Sequence, residues 1–218
     1  MIMPEFKRAR NEEQKEQRMQ GIKDAVEELF KEKPYHDITF TTIADKLNLT
    51  KAHLYQYIST KEEIFLEICA DKRDLYYEAL KIAIPKNSGY SIEVIAEVWA
   101  GILNAHKDHL HYCDILSTII ETNVSVERLA AFKKRYYENA YEVSEQICSQ
   151  LNLTKEDSYK LFLNIHYHAV GINSICRWNP LVAEALAKEN ITAPAIDFRE
   201  NMKEFITMNL TFYCAKNH

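Results

Sequence analysis

The stretch from Thr39 to Phe65 leaves the backbone fewer choices than any other part of the chain. Thr39 is a good N-cap, and Phe40, Ile43, Ala44 and Leu47 behind it fall on one face of a helical period. Asn48 stands where that helix must stop, and asparagine tolerates the left-handed conformation of a sharp turn. Thr50 caps a second short helix, with Leu49 and Leu54 placed to hold it against the first. Thr60-Lys61-Glu62-Glu63 is a capping box that opens a third helix at once. The pattern predicts helices over about 40–47 and 51–57 joined by a tight turn. From Lys46 to Lys61 there is no acidic residue, whereas Lys46, Lys51, His53 and Lys61 are present. A polyanionic duplex can approach such a window without charge repulsion.

Elsewhere, long segments of helical periodicity are separated by only four Gly and five Pro, which predicts an all-α fold. A first helix is expected over about 11–33, carrying Ile22, Ala25, Val26, Leu29 and Phe30 and stopped by Pro34. A helix over about 61–84 ends at Pro85 and is placed to connect the two short helices before it to the rest. Further helices are expected at about 91–106, 109–122, 125–151, 155–178, 181–190 and 197–215, with Ser125 and Thr154 as caps. The net charge of -5 is uneven along the chain. Residues 1–61 hold eleven Lys and Arg against ten Asp and Glu, so the excess acid lies beyond the window described above. Lys7, Arg8 and Arg10 make a small basic arm before the first helix, a type of segment that reaches phosphates or a minor groove. No apolar run is long enough for a membrane span, and residues 1–20 are charged, so the chain reads as soluble and cytoplasmic, with no membrane partner.

Residues 18–65 resemble the TetR family of bacterial transcriptional regulators. The resemblance rests on Thr39 capping a helix that contains Ile43-Ala44, and on a turn followed by Thr50, Ala52, Leu54-Tyr55, Tyr57 and Lys61-Glu62. Asn48 stands where that family usually has Gly, Leu47 where it often has Ala, and Ile58 where it usually has Phe. None of these removes a DNA contact; they bear on turn geometry and packing. The resemblance implies an N-terminal three-helix helix-turn-helix domain over residues 1–62 and a helical effector-binding and dimerisation domain over 63–218. It also implies a homodimer formed through the last two long helices, bound as a repressor to a palindromic double-stranded operator and released by a small molecule. No cofactor is implied. Lys51, Ala52 and His53, in the first turn of the recognition helix, would meet base edges. Thr39, Thr41, Thr42, Thr50, Tyr55, Tyr57 and Lys61 would hold the DNA around them.

Beyond the reading head the resemblance is architectural only. The aromatic residues Trp99, Tyr112, Phe132, Tyr136, Tyr137, Tyr141, Phe162, Tyr167 and Trp178 are either core or the wall of an effector pocket. Trp99, Tyr136, Tyr137, Tyr141 and Tyr167 are the pocket candidates, with Asn164 and His168 as orienting polar groups. The segment 155–178 carries Ala169, Gly171 and Ser174, which allow close approach of another helix, and the last helix is apolar over much of its circumference. His106, His109, His111 and Cys113 lie near one another in sequence, and a metal-responsive regulator of the same fold is an alternative. No carboxylate or second Cys completes an evident ligand set. Five scattered cysteines without a Cys-x-x-Cys pair give neither a disulfide framework nor a zinc ribbon, and only Cys176, beside Arg177, has the basic neighbour a redox sensor needs. An enzyme finds no support: there is no nucleophile elbow, phosphate-binding glycine loop or His-Glu-x-x-His motif. A helical adaptor for proteins alone would leave the acid-free, doubly capped window unexplained.

Overall fold

Thr39, Ser91, Thr154 and Asn179 each open a helix by accepting a main-chain N–H from its first turn. These four caps satisfy donors that would otherwise have no partner, and they set where each helix begins. The computed structural model describes residues 5–151, 153–177 and 179–216, with side chains from Glu13 onward. In chain order α1 is Glu5–Glu32, α2 Phe40–Lys46, α3 Lys51–Leu54, α4 Lys61–Ala83, α5 Ile92–Ala105 and α6 Lys107–Ile115. There follow α7, Val126–Cys148, α8, Lys155–Cys176, α9, Pro180–Lys188, and α10, Phe198–Lys216. A 3-10 turn at Tyr35–Asp37 and a π-helical turn at Leu116–Ile120 lie between them. Among the described residues there is no β-strand, and no helix is long and apolar enough to cross a membrane.

Three boundaries differ from expectation for physical reasons. The first helix begins at Glu5, so the backbone of Lys7, Arg8 and Arg10 is helical; their side chains lie outside the described residues. The second reading helix is regular only through Leu54. After it Gln56 N donates to His53 O at 3.2 Å and Tyr57 N to Leu54 O at 2.9 Å, the tighter i to i−3 pattern of a closing turn. The expected helix over 109–122 is α6 followed by the π turn, in which Glu121 N reaches five residues back to Leu116 O at 2.9 Å.

The chain divides into two compact units, Met1–Asp71 with Leu116–Ala130, and Lys72–Ile115 with Ala131–His218, so α4 contributes residues to both. In the first unit α1 buries Ile22, Val26, Leu29 and Phe30 on one stripe, and Phe30 meets Phe65 of α4 edge-on at 5.1 Å. Each such side chain, moved out of water, contributes about 1.5–3 kcal/mol. Ile43, Leu54, Ile58 and Ile64 complete that core. The segment 116–130 is tied to it by polar contacts: Thr60 Oγ1 donates to Asn123 O at 3.3 Å, and Arg128 lies 3.4 Å from Glu63 and 3.3 Å from Glu67. In the second unit α5, α8 and α10 enclose Trp99, Leu103, Ile165, Ala169, Met202 and Ile206. Trp99 is fully buried, its indole N–H donating to Tyr76 Oη at 2.9 Å and its ring stacked on Phe162. Gln146 of α7 donates to the carbonyls of Lys81 and Ile84 at 2.7 and 3.0 Å, satisfying the frayed end of α4 before Pro85.

Candidate nucleic-acid interface

α2 starts from a reciprocal cap. Thr42 N donates to Thr39 Oγ1 at 3.2 Å while Thr39 N donates to Thr42 Oγ1 at 2.9 Å, a capping box built from two threonines. Ile43 and Ala44 are buried and fix the helix to the core, leaving Thr41 exposed and Thr42 half-buried at its start. The turn after it depends on Asn48, whose φ of 54° is left-handed, and Leu49 N closes it on Ala44 O at 2.9 Å. Thr50 then caps α3 by accepting from His53 N at 3.2 Å.

α3 has two distinct sides. Leu54 and, one turn on, Ile58 are fully buried, whereas Lys51, Ala52, Tyr55 and Gln56 are exposed. Tyr55 is 58% exposed yet held, its ring stacked on Phe40 at 4.6 Å and 11°. An aromatic fixed by stacking presents its hydroxyl at little entropic cost. The exposed side therefore carries a cation, a phenol and an amide, donors suited to base edges and phosphates, beside one small apolar residue. Gln56, not among the residues expected to meet DNA, belongs to it. Its position four residues after Ala52 was the available signal.

Two expected DNA contacts are placed otherwise. The His53 ring leans on Tyr57 at 5.5 Å, and its Nε2 is buried without a hydrogen-bond partner, so the imidazole faces the domain more than the solvent. Lys61, expected to reach a phosphate, donates instead to Tyr35 O at 3.1 Å and Ile38 O at 2.7 Å, over the Tyr35 ring at 3.9 Å. Burial holds its ammonium below the usual lysine range. Lys61 thus fixes the chain entering α2. The capping box at α4 is likewise shifted: Glu63 N donates to Thr60 Oγ1 at 3.2 Å, but the Glu63 carboxylate accepts from Ser59 N at 3.0 Å.

The effector candidates of the second unit differ widely in exposure. Trp99 is core, while Tyr137, Tyr141 and Tyr167 are 49, 48 and 61% exposed. Asn164 is exposed and donates to Tyr213 Oη at 3.3 Å; His168 stacks on Phe205 at 3.7 Å and meets Asn201 Oδ1 at 2.9 Å. Tyr136 is half-buried, its phenol pushed up by burial. Trp178 lies outside the described residues. Of the histidines weighed for metal, His106 ends α5 and His109 belongs to α6, so they do not share a helix. His111 is tied to Arg177, and His109 approaches Cys113 Sγ at 3.6 Å. Burial pushes His111 down to about 4 and His109 well below the usual histidine range.

Residues 22–68 match the model for bacterial regulatory proteins of the tetR family, and residues 70–211 match that for the tetracyclin repressor-like C-terminal domain. Among solved structures, a regulatory protein in the TetR family from Rhodococcus RHA1 is 16% identical with a TM-score of 0.57, covering 89% of this chain and 96% of its own. A TetR/AcrR-family transcriptional regulator from Thermobifida fusca is 21% identical with a TM-score of 0.53 and the same coverage. At these identities the likeness speaks to the fold. No curated protein sequence matches the chain.

Proposed function

The chain belongs to the TetR family of bacterial transcriptional regulators, ligand-responsive DNA-binding proteins, and from that premise we propose a homodimeric repressor that leaves a palindromic operator when a small molecule enters its second domain. Residues 1–62 read DNA and residues 63–218 sense and dimerise. The observation that carries the reading is the exposed, acid-free side of α3, held in place by caps at Thr39 and Thr50. Lys51, Ala52 and Gln56 meet base edges in the major groove. Thr39, Thr41, Thr42, Thr50 and Tyr55 hold phosphates around them. His53 and Tyr57 support the side from behind, and Lys61 sets the approach to α2.

The dimer reading is supported by apolar faces on the last two long helices. Tyr167 and Ile175 on α8, and Met208 and Phe212 on α10, are each about 60% exposed or more. Gly171 and Ser174 lie exposed on the same side of α8 and permit close approach of a second helix. Large apolar side chains grouped in this way mark an interaction surface. A two-fold dimer places its two recognition helices about 34–36 Å apart, or somewhat more. Effector binding shifts that spacing through α4, with a coupling of about 1–3 kcal/mol that must be reciprocal.

Selection of bound sequences from a random duplex pool, together with light scattering of the protein with and without the selected duplex, tests the reading. A dimer on an inverted repeat is expected. A monomer at micromolar concentration bound to a single half-site refutes the dimer, and an effector whose affinity ignores the operator refutes the coupling.

A further inference from the structure

Arg18 of α1 is a cation without a use inside its own unit. Its side chain is exposed and has no ion-pair or hydrogen-bond partner among the described residues. It lines an open cavity of about 730 Å³ in the first unit, together with Gln14, Lys15, Gln17 and Gly21 of the same helix. Leu47, which closes α2, and Gln56 and Tyr57, which follow α3, complete the lining. The composition of α1 hides this face, because Glu13 and Glu16 stand among Lys15 and Arg18. Residues three, four and seven apart share one side of a helix, so Gln14, Gln17, Arg18 and Gly21 fall together while the two glutamates turn elsewhere. Among the described residues, no carboxylate lines the cavity.

The lining decides what kind of occupant fits. A small-molecule pocket is mostly apolar with a few polar groups, whereas here Leu47 is the one aliphatic side chain among the described lining residues. Guanidinium, ammonium and amide donors are the groups that proteins turn toward the phosphate oxygens of a duplex. Gln56 belongs both to this cavity and to the exposed side of α3, so the surface proposed to enter the major groove continues into it. Gly21 adds an independent signal. It stands in the interior of α1, where glycine is less stable than alanine, yet a Cβ there would meet no neighbouring part of the fold within 4 Å. Packing therefore does not demand the glycine. A bare backbone is of use where something outside the fold must come close.

We propose that α1 is a second DNA-contacting element. The sugar-phosphate backbone of the operator, beside the stretch read by α3, lies in this cavity. Arg18 and Lys15 meet its phosphates, Gln14 and Gln17 donate beside them, and Gly21 leaves it room. This role rests on the regulator reading above and widens the contacted site. Contacts to phosphates fix register on the duplex and carry no sequence preference, which separates them in experiment from those of α3.

Fluorescence anisotropy of the full chain on two duplexes tests the assignment, one duplex selected from a random pool and the other scrambled, each over a salt series. Arg18→Met keeps the aliphatic stem, removes the charge and should melt with the parent. It should weaken binding to both duplexes alike, by about eightfold at 0.1 M salt, and lower the slope of log K against log salt by about 0.9. Gly21→Ala should melt about 1–4 °C above the parent, since helix propensity rises without a clash. Gly21→Leu should fold as well as the parent and bind both duplexes more weakly, because its side chain stands where the backbone passes. An Arg18→Met protein with the parent's affinity and slope overturns the assignment and leaves the regulator reading standing. A loss confined to the selected duplex overturns it too, as does a Gly21→Ala protein that melts below the parent or a Gly21→Leu protein that binds like it. A parent that binds neither duplex sinks the regulator reading and this role with it.

Discussion

Replacing Lys61 by Met separates two roles that one lysine at the start of α4 can hold. The substitution keeps most of the stem that packs on Tyr35 and removes the ammonium. Two main-chain oxygens, Tyr35 O and Ile38 O, then lose donors at 3.1 and 2.7 Å. A hydrogen bond from a charged donor contributes about 1.5–3 kcal/mol. Lys61 is half-buried and the freed oxygens gain partial hydration, so about 1 kcal/mol each is the reasonable figure. The contact over the Tyr35 ring adds about 0.5–1 kcal/mol. The first unit should therefore lose about 2–3 kcal/mol. Hydrogen exchange of the amides of α1 and α2, which reports local and global opening, measures this without interference from the second unit. Operator affinity titrated against salt supplies the other arm. A lysine that neutralises a phosphate contributes about 0.9 to the slope of log K against log salt. Here the slope should change by much less. Unchanged amide protection together with a slope smaller by about one would refute the structural assignment and return Lys61 to the phosphates.

Acid should destabilise the second unit before its carboxylates titrate. Burial pushes His166 down to about 4 and His109 well below the usual range, whereas both return to about 6.5 on unfolding. The unfolded chain therefore binds the protons, and the stability these neutral rings confer is complete above about pH 6.5 and lost as pH falls toward 4. Between pH 7 and pH 5 the loss from His166 should be about 2 kcal/mol, with His109 adding in the same direction, read from urea midpoints followed by tryptophan fluorescence; a flat profile, or one unaltered in His166→Leu, would count against it. At the reading-head turn, Asn48→Ala should cost about 1 kcal/mol and Asn48→Gly nearly nothing, because φ is 54° there. Equal urea midpoints for the two variants would show that the turn relaxes to another conformation.

Local chemistry made the caps legible. Thr39, Thr50 and Thr154 each announce a helix because the cap bond spans only a few residues, and all three are made as expected. Pro85 and the apolar stripe of α1 were readable for the same reason. What depends on packing was not. Which aromatics turn inward is decided by neighbours far along the chain, so Trp99 reads like Tyr167 in sequence although one is fully buried and the other 61% exposed. The π turn at Leu116–Ile120 has no composition of its own and appears only once the flanking helices are placed. The roles of Lys61 and His53 were hidden in the same way: a basic side chain near a helix start serves a phosphate or a carbonyl depending on which lies within reach.

On the proposed reading, the two sides of α3 separate what the operator asks of the protein from what folding asks. Leu54 and Ile58 anchor the segment, while Lys51, Ala52, Tyr55 and Gln56 share none of that burial. Substitutions at Lys51, Ala52 and Gln56 fall on surface positions, where changes ordinarily stay within about 0.5 kcal/mol. A lineage can therefore retune its target site one residue at a time without passing through an unfolded ancestor, and an engineer can transplant those positions from a relative while leaving the anchors untouched.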